Sequence, residues 1–116
     1  MQPRSPKLLD TISRSCRYIS EDIDGRSLED WIAHRQMRQA VERNLEIIGE
    51  SLMRLRDVDP LTASNISHVN QIIGLRNRLA HGYEDEIDDH LVWIAVRDSL
   101  PTLIQEVEQL LPAVEE

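Results

Sequence analysis

An all-α bundle of four or five helices is what this sequence predicts, on three observations. Apolar residues recur at helical spacing along most of the 116-residue chain, no stretch alternates apolar and polar residues convincingly at the two-residue period of a strand, and there are no Phe and only 4 Gly. With 41% hydrophobic and 29% charged residues, a core closed through aliphatic side chains is expected. The length suits one compact domain, residues 1–116, with 1–4 and 112–116 as frayed termini.

Each element has its own signal. Ser5-Pro6 reads as an N-cap followed by proline at the first helical position, and Leu8, Leu9, Ile12, Cys16, Ile19 and Ile23 continue at helical spacing as far as Gly25. Ser27 and Asp30 form a capping-box pattern that opens a long second helix, with Leu28, Trp31, Ile32, Val41, Leu45, Ile48, Leu52 and Leu55 on one face. At about 1.5 Å per residue that helix would reach roughly 40 Å, enough to offer its apolar face to a second copy. The run Asp57 to Pro60 ends it, and a polar connection leads to a third helix, capped by Asn65 or Ser67 and carrying Val69, Ile72, Ile73, Leu75 and Leu79. After the acidic turn "EDEIDD", Ile87, Leu91, Ile94 and Ala95 mark a fourth helix. Pro101 signals a restart or kink before the last stripe, Leu100, Leu103, Ile104, Val107, Leu110 and Leu111.

Composition excludes several function classes. No apolar run approaches the ~20 residues of a membrane span and no signal-peptide core is present, so the expected compartment is the cytoplasm, with no membrane partner. A lone Cys16 cannot form an internal disulfide, and its place on an apolar stripe suits a small buried thiol without a catalytic role. The net charge of −8 speaks against general nucleic-acid adhesion. It is unevenly spread, however: residues 1–80 hold 12 basic against 11 acidic residues, a net of +1, and residues 81–116 hold 1 against 10, a net of −9. All basic residues but one are arginines, whose planar forks hold phosphate bidentately, so local RNA contact is compatible with the composition.

The densest chemistry lies in "RNRLAHGY", Arg76 to Tyr83, where a proton-transferring histidine follows two phosphate-binding arginines. Arg76 and His81 are five residues apart, about 140° around an ideal helix, so they do not share a face. A site built from one chain would need the helix to unwind near Gly82; a site built from two would let paired helices bring Arg76 and His81 to one phosphate. On spacing alone a plain structural role is also open, in which Arg76 and Arg78 pair with Glu84 or Asp85 and His81 is a polar cap at a helix C-terminus. The remaining histidines, His34, His68 and His90, stand in polar surroundings, and no pair has zinc-ligand spacing. The cluster Glu84, Asp85, Glu86, Asp88 and Asp89 lacks the loop pattern of a calcium site and suits a solvated helix start. No metal and no cofactor is expected, and there is no glycine-rich phosphate loop or serine or cysteine nucleophile signature.

Arg76-Asn77 with His81 and Tyr83 resembles the Arg-Asn-x-x-x-His motif, extended to Arg-x-x-x-x-His-x-Tyr, of HEPN-domain ribonucleases of the HepT type. The likeness extends to "VERNLEIIGESLMRL", similar to the family's central helix, "IIGLRNRLAHGY", similar to its active-site helix, and "IDDHLVWIAVRDSLPTL", similar to its closing helices. It departs at "ISHV", Ile66 to Val69, where a tryptophan near His68 is expected.

The resemblance implies a HEPN-like helical fold, a homodimer and a metal-independent endoribonuclease toxin of a toxin-antitoxin system that cleaves cellular RNA. It implies a partner antitoxin too, a small MntA-like nucleotidyltransferase that transfers AMP to the motif tyrosine, here Tyr83. In such a reaction the ribose 2'-hydroxyl attacks the adjacent phosphorus. His81 would act as general base or acid, Arg76 would hold the phosphoryl oxygens, and Asn77 would orient the scissile group. Arg78 and Glu50 are possible supporting residues, Glu50 by orienting Arg76 or His81 or else in a buried ion pair. Two other functions compete: a non-catalytic helical partner that positions substrate for a nucleotidyltransferase, and a dimeric adaptor whose motif is a salt-bridged turn. The intact motif favours the enzyme.

Overall fold

The computed structural model describes residues 1–81 and 88–111, and among these the chain is helical with no strand. The elements are α1 (Ser5–Ile23), α2 (Leu28–Ala33), α3 (Arg35–Val58), α4 (Pro60–Ala63), α5 (Val69–His81), α6 (Asp89–Ile94), a π-helical turn (Ala95–Ser99) and α7 (Leu100–Leu110).

The first helix buries Leu9, Ile12, Cys16 and Ile19, a three-four-three spacing that keeps one face inward. Burial pushes the Cys16 thiol up to about 12, which fits a packing group. Arg4, not Ser5, occupies the N-cap, and it makes no side-chain cap bond. Ser5 is instead drawn inward, where its hydroxyl donates to Asp59 Oδ2 at 2.7 Å. The same carboxylate accepts from the Gln2 N–H at 3.0 Å, and from the Thr62 hydroxyl at 2.6 Å. Asp59 therefore ties the start of α1 to the junction of α3 and α4, so α1 and α3 lie antiparallel. Gly25, at φ +72°, ends α1 in the left-handed region that a side chain would resist.

The long second helix expected from the sequence is two helices. The capping box at Ser27 and Asp30 is present in both directions, but the chain breaks at His34, at φ −110° and ψ 88°. Arg38 bridges the break by donating to the Trp31 carbonyl at 2.8 Å and to that of Ile32, which satisfies carbonyls left over at the end of α2. The continuation, α3, has 24 residues and is about 36 Å long at ~1.5 Å per residue, somewhat short of the expected length. Trp31 is fully buried against Trp93, with ring centroids 5.5 Å apart and planes tilted by 37°, and its indole N–H donates to the Asp89 carbonyl at 2.9 Å.

The polar connection before α5 contains α4, a single turn opened by Pro60 and capped by Asp59 through the Thr62 N–H. Neither Asn65 nor Ser67 caps α5. Asn65 donates to the Leu61 carbonyl, while the Ser67 N–H and hydroxyl both reach the Glu106 carboxylate on α7, at 2.9 and 2.7 Å. His68 takes the turn into α5 at φ +62°, its carbonyl accepting the first helical bond, from Ile72.

The closing segment buries a different set from the expected one. Leu91 and Ile94 are exposed, at 54% and 46%, whereas Val92, Trp93 and Val96 enter the core. Ile87 lies outside the described residues. The π turn widens the helix just before Pro101, which has no N–H to give to the Arg97 carbonyl four residues back, and α7 then buries Leu100, Leu103 and Val107. The buried apolar side chains of every helix, Ala63 of α4's single turn included, join one cluster running from Leu9 to Val107. No described helix is long and apolar enough to cross a membrane.

Candidate functional site

Helix α5 is regular through His81, so the turn from Arg76 to His81 stays helical and their directions diverge by about 140°. Gly82, the expected point of unwinding, lies outside the described residues, as do Tyr83, the proposed AMP acceptor, Glu84 and Asp85 as pairing partners for Arg76 and Arg78, and residues 112–116. Asn77, Arg78 and His81 are all exposed at the end of the helix.

Arg76 faces inward across α3. Its side chain is only 21% exposed, and the guanidinium is gripped from two sides: Nη2 donates to Glu50 Oε1 at 2.9 Å and Nη1 to Asn77 Oδ1 at 3.0 Å. Glu50 is itself shared, since its other oxygen accepts from Arg54 Nε at 3.0 Å. The structure thus brings together Arg76, Asn77 and Glu50, and it leaves His81 and Arg78 apart from that group on the solvent side. Arg76 Nε is buried with no hydrogen-bond partner among the described residues. A buried donor left unpaired costs about 1–3 kcal/mol, so this arginine is not fully satisfied by its ion pair.

The approach of α5 to α3 depends on Gly49, which the sequence reading passed over. A Cβ at that position would stand 2.3 Å from Arg76 Cβ and 2.7 Å from Arg76 Cγ, so only glycine lets the arginine stem lie flat on α3. One signal was available: a glycine in the interior of a long helix loses about 1 kcal/mol against alanine and calls for a packing reason.

Outside the guanidinium, α1, α3 and α5 enclose an open groove of about 1190 Å³. Arg4 and Lys7 line it from the start of α1, Arg43 and Arg54 from α3, and Arg76 from α5. Glu46, Glu50 and Asp57 lie among them. Elsewhere, among the described residues, no group of three His, Cys, Asp or Glu side chains is placed to hold a metal ion.

The fold is thus an all-helical bundle in which Arg76 of α5 is held between Asn77 and Glu50 of α3. The ribonuclease HepT-like family matches residues 9–110, and the chain belongs to it. Among its relatives, a provisionally named RNase of Methanocaldococcus jannaschii is 35% identical over 78% of both chains. A second, from Caldanaerobacter subterraneus, is 28% identical over 89% of this chain and 90% of its own length and is also provisionally named an RNase. No solved structure matches the chain.

Proposed function

We propose that the chain is a metal-independent endoribonuclease toxin, a single domain over residues 1–116 that works as a homodimer and is silenced by AMP transfer to Tyr83 from a nucleotidyltransferase antitoxin. The observation that carries the reading is Arg76: a cation held in place by Glu50 and Asn77 and lining an open groove. A guanidinium fixed by a carboxylate and an amide is preorganised, and a planar fork of this kind matches the oxygens of a phosphoryl group.

Cleavage by the 2'-hydroxyl needs one group to take that proton and one to return a proton to the departing 5'-oxygen, while the phosphorus passes from one ester bond to the other and a 2',3'-cyclic phosphate forms. His81 can do either task but not both at once. Two copies meeting along α5 would supply two histidines and would bring the His81 of one to the Arg76 of the other, which the 140° divergence within one helix prevents. Asn77 orients the scissile phosphate, Glu50 positions Arg76, and Arg78 adds positive charge beside it.

The test is cleavage of a defined RNA by purified chain in EDTA. Cyclic phosphate ends are expected, and His81→Ala and Arg76→Ala should each lower the rate by about 10²- to 10⁴-fold with the helical signal kept. Undiminished cutting by His81→Ala, or a metal requirement, would overturn the mechanism. A monomer in sedimentation at micromolar concentration, with activity intact, would overturn the two-copy site.

A further inference from the structure

The groove above Arg76 is larger than one scissile phosphate needs, and its charge runs against that of the chain. Five cations line it against three carboxylates, in a protein whose net charge is −8. Two of the carboxylates are already taken: Glu46 pairs with Arg43 at 3.5 Å, and Glu50 is divided between Arg54 and Arg76. Arg4 and Lys7, both exposed at the start of α1, have no ion-pair partner among the described residues. The cations on α3 also recur along one face, since Arg43 and Arg54 are eleven residues and three turns apart, about 16 Å. The groove is thus a positively biased channel that includes Arg76.

We propose that this groove holds the sugar-phosphate backbone of single-stranded RNA on its way to Arg76, with Arg4 and Lys7 at the start of α1 and Arg43 on α3 contacting phosphates that are not cut. The inference rests on the ribonuclease reading and extends it from the reacting phosphate to the flanking nucleotides. Exposed arginine and lysine side chains bind phosphate without reading sequence, so these contacts set affinity and register but not base preference. Tyr18 extends the same surface. It follows Lys7 by eleven residues on the same face of α1, is 51% exposed, and offers a ring on which one base stacks.

The test uses the full-length chain and a fluorescent single-stranded RNA with 2'-O-methyl groups throughout, which binds but lacks the attacking hydroxyl. Lys7→Ala with Arg43→Ala should weaken binding about tenfold and reduce the slope of log affinity against log salt by about 1.4, since each lost single-strand contact is worth about 0.7. Arg97→Ala, at a residue paired with Asp98 outside the groove, should bind as the parent does. Unchanged affinity and slope in the double variant would overturn the groove. So would a fall in affinity accompanied by dissociation of the oligomer, because the groove would then be a protein interface. Charge reversal, Lys7→Glu alone, supplies a second readout in case the double variant is poorly folded, and it should weaken binding more than Lys7→Ala. Salt-dependent, groove-dependent binding by a chain that never cuts unmodified RNA would sustain the groove and refute the nuclease.

Discussion

Replacing Gly49 with alanine isolates the contact on which the position of Arg76 depends. The new Cβ would sit 2.3 Å from Arg76 Cβ, whereas carbon atoms rest about 3.5–4 Å apart, so α5 and α3 must separate by roughly 1 Å or more at that point. The obstructing atom is anchored to the α5 backbone, so a rotamer change cannot relieve the overlap. Overpacking of this kind costs about 1–3 kcal/mol, and the better helix propensity of alanine returns about 1, leaving a net loss of up to about 2 kcal/mol. Gly74→Ala is the control, because among the described residues nothing beyond its chain neighbours and its own helix backbone lies within 4 Å of the added Cβ. It should gain about 1 kcal/mol, or roughly 4 °C in Tm for a domain of this size, while Gly49→Ala should lose up to roughly 8 °C. Thermal melts followed by far-UV circular dichroism read both, and RNA cleavage below the transition should fall for Gly49→Ala alone. If Gly49→Ala raised Tm as much as Gly74→Ala does, the close approach of the two helices would be wrong.

Three further outcomes are expected. The Thr62 hydroxyl, the Gln2 N–H and the Ser5 hydroxyl hold the Asp59 carboxyl well below the usual range, so its stabilising contribution is complete above the unfolded value near 3.9 and is lost as pH falls toward the lower folded value. Asp59→Asn should therefore lower Tm at neutral pH, with the gap to the parent closing below about pH 4; a gap that stays constant down to pH 2 would contradict the assignment. Trp31→Phe removes the donor to the Asp89 carbonyl and part of the contact with Trp93, and chemical denaturation should show a loss of about 1–3 kcal/mol. Tyr83→Phe keeps the ring without the acceptor oxygen, so incubation with the antitoxin and ATP should leave it unmodified by mass spectrometry and still able to cut RNA, whereas AMP on another residue would refute the proposed silencing.

Much of the fold can be read from spacing because α1, α3 and α7 are long enough for an apolar stripe to repeat several times. The shorter pieces were misread for identifiable reasons. His34 lies between two patterns that are each helical, and nothing in its residue type marks a break that Arg38 stabilises from four residues away. In α6, six residues long, Leu91 and Ile94 are as apolar as Val92 and Val96, so only the packing of Trp93 on Trp31 decides which side turns inward. The candidate site was legible in part: Arg76, Asn77 and His81 stand together in the sequence, and Glu50, named there as a support for Arg76 or His81, does pair with Arg76 at 2.9 Å. Gly49, which admits the arginine stem, carries no chemistry of its own and comes from a helix more than twenty residues earlier, so its role shows only in the packing.

The π turn at Ala95–Ser99 bears on how relatives of this chain should be aligned. From Val92 to Val107 the buried row beside Trp93 falls at 92, 96, 100, 103 and 107, fifteen residues for four turns. An unbroken α-helix needs about 14.4, so the wide turn absorbs a surplus of less than one residue and keeps the stripe in phase. A relative one residue shorter between Ile94 and Leu100 could present the same inward row on an ordinary helix, provided that the position of Pro101 no longer held a proline. Gaps and proline should therefore covary at this point across the family, with a single-residue deletion on one branch and a retained proline on the other.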